Sequence, residues 1–237
     1  MRIPSRLLLL GCFAAVALVC ARLGLWQVDR LRERRAVNVA ALAARSQAPV
    51  TMEKGDGTGG GLIERRVRAS GRYDDDHAII LRGRVYQGVP GVEIVSPLVL
   101  DNGRSAVLVN RGFVPTPDAS TVEPDSLREP GTVRVEGIAL PIRPGGGEPL
   151  QRGEETTWAR LDLEALRARL PYPISPVYIR QLPDSILPRF PRRLEPPSLD
   201  DGPHLSYAIQ WFSFSVMALV FGIVIGRQKR REKPGPG

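Results

Sequence analysis

Two long apolar runs, one near each end of the chain, constrain the fold more than any other feature of the sequence. Residues 7–26 form a run of 20 residues with a single charge, Arg22, and residues 205–225 form a run of 21 residues with none. A helix of about 20 apolar residues crosses the hydrocarbon core of a bilayer, which is about 30 Å thick. Arg22 lies near the end of its run, where its side chain reaches the interface. The sequence therefore predicts a membrane protein with transmembrane helices at residues 7–26 and 204–225.

The first run also contains two possible cleavage sites. Residues 15–17 (AVA) resemble a signal-peptidase site, and residues 9–12 (LLGC) resemble a lipoprotein site. Each would leave a very short apolar region before the cut, and apolar residues continue well beyond both. An uncleaved anchor is therefore the favoured interpretation.

The distribution of charge predicts an orientation. The net charge is +8, but most of the excess lies at residues 1–6, at Arg22 and in the tail at residues 226–237, which leaves about +1 for the middle of the chain. The sequence has no basic stripe with interleaved aromatic residues, so nucleic acid is not a predicted partner. By the positive-inside rule both termini are cytoplasmic, and residues 27–203 form an extracytoplasmic domain, since long loops translocate largely regardless of their charge. No transit peptide precedes the first anchor, which favours a bacterial plasma membrane.

The middle section predicts an α+β domain with a mainly antiparallel sheet. A helix continuing the first anchor is expected over residues 27–46, a flexible loop at 55–61, a short helix at 161–170 capped by Asp162, and an extended proline-rich segment at 183–203. The sequence Asp101-Asn102-Gly103 predicts a hairpin turn. Alternating or continuous apolar residues predict strands over residues 62–72, 78–86, 91–100, 104–114, 132–140 and 176–182.

Catalytic and metal chemistry find little support in the sequence. Residues 26–203 contain no cysteine, which excludes a disulfide framework and a thiolate metal site there. The segment 74–77 (DDDH) is interpreted as a solvated turn rather than a metal site, because adjacent extended residues point to opposite faces. His77 is the only histidine of the predicted external domain, and no serine is placed beside it. We therefore expect a protein that is not an enzyme, with catalysis through His77 as the weaker alternative.

Two further segments admit both a structural and a functional interpretation. Residues 110–115 (NRGFVP) close a predicted strand, either as simple packing or as a recognition surface at the end of the sheet. His204, Tyr207 and Trp211 are spaced i, i+3 and i+7, so they form one stripe at the start of the second membrane helix. The stripe suits an interfacial aromatic belt. It also suits a surface that faces haem, with imidazole as axial ligand and aromatic rings beside the porphyrin.

Four blocks in order along the chain resemble the Surfeit locus protein 1 family. They are residues 23–30 (LGLWQVDR), 71–73 (GRY), 109–115 (VNRGFVP) and 204–212 (HLSYAIQWF), and they span almost the whole chain. The residues that match the first three blocks, which we assign a structural role, are Gly24, Trp26, Gln27, Arg30, Gly71, Tyr73, Asn110, Arg111, Gly112 and Pro115. In the fourth block Gly202-Pro203 precedes His204, where family members often have an asparagine.

The resemblance implies a role in the biogenesis of haem-copper cytochrome c oxidase. It implies delivery of haem a, with His204 as the residue that contacts the haem iron. Tyr207 and Trp211, which share the stripe with His204, are the other predicted cofactor-binding residues. The implied partners are the catalytic subunit of the oxidase, membrane lipid and, as a further candidate, haem A synthase. The alternative is a scaffold that stabilises an oxidase intermediate without binding haem.

Overall fold

The computed structural model describes residues 5–52, 59–145, 147–152 and 155–231. Predictions that concern residues 1–4, the loop at 53–58 and the last tail residues 232–237 lie outside this part of the chain. The chain divides into two compact units, with boundaries after Ala40 and after Ser198. The first unit contains both termini, and the second contains the continuous segment between the boundaries.

Three α-helices and nine strands lie within the described residues. In chain order they are α1 (Ser5–Ser46), β1 (Val50–Met52), β2 (Arg66–Tyr73), β3 (Ile79–Tyr86), β4 (Val89–Leu100), β5 (Ala106–Pro115), β6 (Thr132–Pro141), β7 (Pro149–Arg152), β8 (Glu155–Trp158), α2 (Leu163–Arg169), β9 (Ile174–Gln181) and α3 (His204–Arg231).

Two long apolar helices form the first unit. The segments Leu7–Ser46 and His204–Gln228 are long and apolar enough to cross a membrane. They support anchoring in a membrane by length and composition. The helical continuation predicted for residues 27–46 is confirmed, because α1 runs without a break to Ser46.

Small residues bring the two helices close together. A side chain built at Gly222 would lie 3.0 Å from Cβ of Phe13. Ser215 is buried, and its hydroxyl donates a hydrogen bond of 2.8 Å to the carbonyl oxygen of Ala17. Small residues and interhelical hydrogen bonds are the means by which helices associate in lipid, where the hydrophobic effect supplies no driving force between them.

Five strands of the second unit close into a barrel. Their order is β2-β6-β9-β5-β4, and β4 pairs back onto β2. The seam is short and antiparallel, with Gly71–Tyr73 opposite Leu98–Leu100. A closed sheet has no free edge within the ring, so the backbone groups of these strands are paired without a second chain.

The sheet is mixed and barrel-like rather than simply antiparallel. Among the described strands six pairings are antiparallel, whereas β1–β2, β3–β8 and β5–β9 are parallel. The α+β content of the domain agrees with the sequence, but the parallel pairs were not predicted. Parallel neighbours need long crossover connections, so local turn signals do not reveal them.

Two apolar clusters cover the two faces of the barrel wall. The inner cluster consists of small and branched side chains from all five barrel strands, including Val67, Leu98, Val109, Val135 and Ile179. The outer cluster packs α2 and Trp158 against the opposite face of β4 and β5. Burial on both faces explains why β5 is a continuous apolar run rather than an alternating one.

Local predictions for this domain are mostly confirmed. Asp162 caps α2 by accepting hydrogen bonds from the backbone N–H groups of Glu164 and Ala165. The predicted hairpin joins β4 to β5, with Gly103 at a φ of +67°. The strand predicted from residue 62 begins later, at Arg66, because Gly59–Leu62 forms a turn of 3-10 helix.

Candidate functional site

His204 is the first residue of α3, and its ring is held by a side chain of α1. Its Nδ1 lies 2.8 Å from Oε1 of Gln27, a residue that is only 9% exposed. An amide oxygen can only accept a hydrogen bond, so Nδ1 carries the proton and donates it. In a neutral imidazole the other nitrogen, Nε2, then keeps a lone pair. The arrangement presents a nitrogen ligand at the end of the helix pair.

Two glycines shape the surroundings of this contact. Gly24 lies on α1 one turn before Gln27, and a Cβ there would lie 2.7 Å from the ring of Phe212. Gly24 therefore lets the two helices approach beside the Gln27–His204 contact. Gly202 has a φ of +67° and lies next to the His204 ring, where a Cβ would be 3.8 Å from Nε2. A residue without a side chain thus flanks the free nitrogen.

Tyr207 and Trp211 lie on the same side of α3 as His204. At 3.6 residues per turn, these three residues and Phe214 fall within an arc of about 80°. Tyr207 is 46% exposed, and the indole of Trp211 packs edge-to-face on Phe214 with ring centres 5.9 Å apart. The predicted stripe is present as a row of aromatic side chains, while His204 itself turns towards Gln27.

Trp26 lies on a different face of α1. Trp26 is 45% exposed, and the guanidinium of Arg30 lies over its ring at 5.7 Å. Trp26 is two residues from Gly24, about 200° around the helix. Trp26 therefore faces away from the contact that Gly24 and Gln27 make with α3, and Arg30, one turn further on, packs over its ring.

Gly71 and Tyr73 form the seam of the barrel. A Cβ at Gly71 would lie 2.0 Å from the carbonyl oxygen of Val99, so only glycine fits where β2 meets β4. The guanidinium carbon of Arg111 lies over the ring of Tyr73, 4.7 Å from the centre of that ring. Burial raises the pKa of the Tyr73 hydroxyl, and nearby Arg111 only partly opposes this.

Arg111 is the largest fully buried side chain of the described residues and the centre of an ion cluster. Its guanidinium donates to Asp75 Oδ1 at 3.1 Å and to Glu129 Oε1 at 2.8 Å. It also donates to the hydroxyl of Ser96 and to the carbonyl oxygen of Leu127. Arg193, whose side chain is 2% exposed, donates to the same Glu129 oxygen. We call Asp75, Arg111, Glu129 and Arg193 the arginine cluster.

Asn110 and Gly112, on either side of Arg111, shape the backbone around the cluster. The side chain of Asn110 donates to Glu93 Oε2 at 2.6 Å and accepts from the N–H of Gly112 at 3.0 Å. Gly112 has a φ of +118°, and a Cβ there would lie 2.0 Å from the carbonyl oxygen of Arg192. The block therefore admits the segment that carries Arg193, while Pro115 ends β5 at an exposed position. Its buried residues pack inside the domain, as the structural interpretation of this block predicts.

The two carboxylates of the arginine cluster have opposite pKa shifts. Burial would raise the pKa of Glu129, but hydrogen bonds and charge from Arg111 and Arg193 outweigh it, so the pKa is lowered. Burial raises the pKa of Asp75, and the charges of Arg111 and Arg128 only partly offset it. Glu129, which faces two arginines, is therefore the carboxylate that the cluster stabilises in its charged form.

His77, the other histidine, belongs to a second polar group. The turn predicted at residues 74–77 is confirmed, but the prediction that its side chains are simply solvated is wrong for Asp74 and Asp75. Asp74 accepts from His77 Nδ1 at 2.8 Å and from the Tyr172 hydroxyl at 2.7 Å. Asp75–His77 forms a turn of 3-10 helix, and this curvature brings together side chains that an extended chain would separate. Burial alone would raise the pKa of Asp74, but the hydrogen bonds from Tyr172 and His77 outweigh this effect, so the pKa is lowered.

Several residues that complete these contacts are not marked by any pattern in the sequence. Glu129 lies in the irregular segment before β6, and Arg193 lies in the segment after β9. No local sequence pattern marks either residue. Gln27 is part of the first family block, but its contact with His204 joins residues 177 positions apart. Such contacts depend on tertiary packing, which periodicity does not encode.

Together these features define a class: a protein with two apolar terminal helices suited to membrane anchoring, a closed, mixed barrel formed by the intervening sequence, and a histidine presented where the helices pair. A family model described as the SURF1 family matches residues 14–216 of the chain. The chain belongs to this family, and the resemblance seen in its four sequence blocks is confirmed.

Relatives within the family come from distant organisms. An uncharacterised SURF1-like protein of Mycobacterium bovis is 32% identical over 177 residues, which cover 72% of this chain. A SURF1-like protein of the eukaryote Monosiga brevicollis is 26% identical over 231 residues, 90% of this chain and 86% of that protein. The match spans 64% of the length of the mycobacterial relative.

Proposed function

We propose that this protein is an assembly factor for haem-copper cytochrome c oxidase that holds haem a on its way to the catalytic subunit. Membership of the SURF1 family supports the oxidase role. The observation that carries the haem role is the hydrogen bond from His204 Nδ1 to Gln27, which leaves Nε2 as a free lone pair. A histidine nitrogen of this kind is a common axial ligand of haem iron.

The residues around His204 fit a haem as cargo. Tyr207 and Phe214 expose about half of their surface on the same side of α3, so they can cover an apolar macrocycle. Trp211 packs against Phe214 and holds this row of rings in place. Haem a brings an iron that accepts a nitrogen ligand, and the protein binds and orients the cargo without catalysing a reaction on it.

The proposed location is a bacterial plasma membrane. The chain carries basic residues before the first apolar run and after the second. By the positive-inside rule these two ends face the cytoplasm, and the barrel domain is extracytoplasmic. His204 then lies at the outer end of the second helix. The proposed partners are the catalytic subunit of the oxidase, lipid and, as the source of haem a, haem A synthase.

A second candidate function, a scaffold that does not bind haem, is favoured by a cleft on the barrel domain. The cleft has a volume of about 650 Å³ and is lined by Arg66, Arg68, Arg134 and Glu136. Ile186, which is 86% exposed, lies beside it. A charged cleft with an apolar rim suits docking of another protein segment, and this role needs no haem ligand.

The experiment that separates the two functions compares haem content. The full chain is purified in detergent from cells that make haem a, with His204→Ala beside it and His77→Ala as the matched control. We expect bound haem a in the wild type and in His77→Ala, and its loss in His204→Ala. Equal haem content in all three proteins would remove His204 as the ligand. Copurification of the catalytic subunit from cells that lack haem a would favour the scaffold.

A further inference from the structure

The contact between Gln27 and His204 does more than join two helices. Gln27 is buried, and its position is fixed by the close approach of Gly24 to Phe212 one turn away. Its Oε1 atom therefore meets the His204 ring from a rigid part of the helix pair. A side chain that points an acceptor at one ring nitrogen decides which nitrogen is protonated.

We infer that Gln27 is a positioning residue, which holds the neutral ring of His204 in the Nδ1–H tautomer, so that Nε2 carries the lone pair. The tautomer follows from the geometry alone, and its use towards haem iron rests on the proposed function. Among the hydrogen bonds of the described residues, Nε2 of His204 makes none. Gly202, with no side chain, leaves the ring edge beside this nitrogen open.

The chemical identity of the acceptor suits cargo that must be released. Histidine ligands are commonly held by carboxylates, which make the ligating nitrogen more basic. A neutral amide orients the ring without that added charge, so it gives a weaker axial ligand. It also avoids an ionised group close to the apolar segment, where charge is costly. Gln27 thus fixes the orientation of the His204 ring but leaves its Nε2 a weaker ligand for the iron, which suits cargo that must be released.

The two histidines of the chain allow the tautomer to be observed directly. The full chain is labelled with 15N-histidine, purified in detergent and studied at a pH where both rings are neutral. In the wild type we expect a protonated Nδ1 and an unprotonated Nε2 for His204, assigned from the signals lost in His204→Ala. Gln27→Leu removes the acceptor and is expected to move the proton to Nε2. The His77 signals, set by Asp74, report that the barrel domain stays folded.

Gln210→Leu is the matched control, because Gln210 is an exposed glutamine on α3. We expect it to leave the His204 tautomer unchanged. A wild-type ring protonated at Nε2, or a Gln27→Leu ring with the wild-type tautomer, would overturn the inference.

A titration with ferric haem b as the probe tests the use of this tautomer. Loss of an outer partner of a metal ligand typically weakens binding by about 10–100-fold, and we expect this for Gln27→Leu but not for Gln210→Leu. Equal haem affinity despite a changed tautomer would overturn the positioning role. If the wild type shows the expected tautomer but binds no haem, the proposed function fails while the assignment of the tautomer to Gln27 stands.

Discussion

In the barrel domain four charged side chains meet inside the protein, whereas the contacts between the paired helices are single and neutral. The arginine cluster places Arg111 and Arg193 against Glu129 and Asp75, and Arg111 alone contacts five different groups, the Tyr73 ring included. Between the helices, Gln27 meets His204, and the Ser215 hydroxyl meets one carbonyl group.

This difference distinguishes a structural centre, the arginine cluster, from the proposed haem site at His204. In the arginine cluster the charges neutralise each other, and the four residues come from different segments of the domain. The His204 ring instead has one nitrogen engaged and one free, which is what a ligand needs. Buried ion pairs are costly to break because the remaining charge loses its partner, whereas neutral contacts between helices contribute little each.

Removal of the Arg111 charge is expected to have the largest effect. Arg111→Met leaves Glu129 with Arg193 alone and removes the guanidinium that pairs with Asp75. Breaking a buried ion pair in this way costs about 3–5 kcal/mol. The measurement is the free energy of unfolding of the purified full chain, obtained by pulse proteolysis. Arg68→Met is the matched control, because Arg68 is 60% exposed in its ion pair with Glu136 and such pairs contribute about 0–1 kcal/mol. Equal losses in the two variants would contradict a central role for the cluster.

Acid is expected to weaken the same cluster. The pKa of Glu129 is lowered in the folded protein, so its contribution is complete above the usual value of 4.5 and is lost as the pH falls through the folded pKa. The free energy of unfolding should therefore fall with pH below about 4.5, and Glu129→Gln should reduce this slope. Glu136→Gln is the control: a hydrogen bond from Arg68 also lowers the pKa of Glu136, but its side chain is 31% exposed against 14% for Glu129. Solvent screens the more exposed pair, so this variant should change the slope less. An unchanged slope in Glu129→Gln would assign the acid sensitivity to other carboxylates.

Local sequence patterns predict most of the helices and strands but not the tertiary contacts that close the barrel. The two helices, six of the strands, the Asp162 cap and the hairpin at Gly103 all follow from local patterns. The short strands β1, β7 and β8 carry too few residues for a periodic signal. The barrel seam depends on the missing side chain of Gly71, which a single sequence marks only as a glycine.

The candidate site shows the same limit. The spacing of His204, Tyr207 and Trp211 predicted a stripe, and the structure has all three on one side of α3. The partner of His204 was not predictable from spacing, because Gln27 lies on another helix. Likewise, the block 110–115 marks Arg111 as a family residue, but only the fold shows that it is buried with two carboxylates.

Removal of a neutral hydrogen bond between the helices is expected to have the smallest effect on stability. Ser215 is buried between the helices and donates to Ala17, so Ser215→Ala removes one interhelical hydrogen bond. Such bonds contribute about 0.6 kcal/mol on average in membrane helices, because the separated helices also find partners. The measurement is the thermal stability of the purified full chain in detergent, where a small decrease is expected.

Ser213→Ala is the control for this variant on the same helix. Ser213 is exposed, and its hydroxyl bonds only the carbonyl oxygen of Ile209 within α3. It should therefore leave the stability unchanged. Arg111→Met is included in the same thermal measurement. If Ser215→Ala lowers the thermal stability as much as Arg111→Met does, the helix pair depends on its polar contacts as strongly as the barrel does. The polar contacts around His204 would then be structural, and the contrast that supports a binding role for its Nε2 would no longer hold.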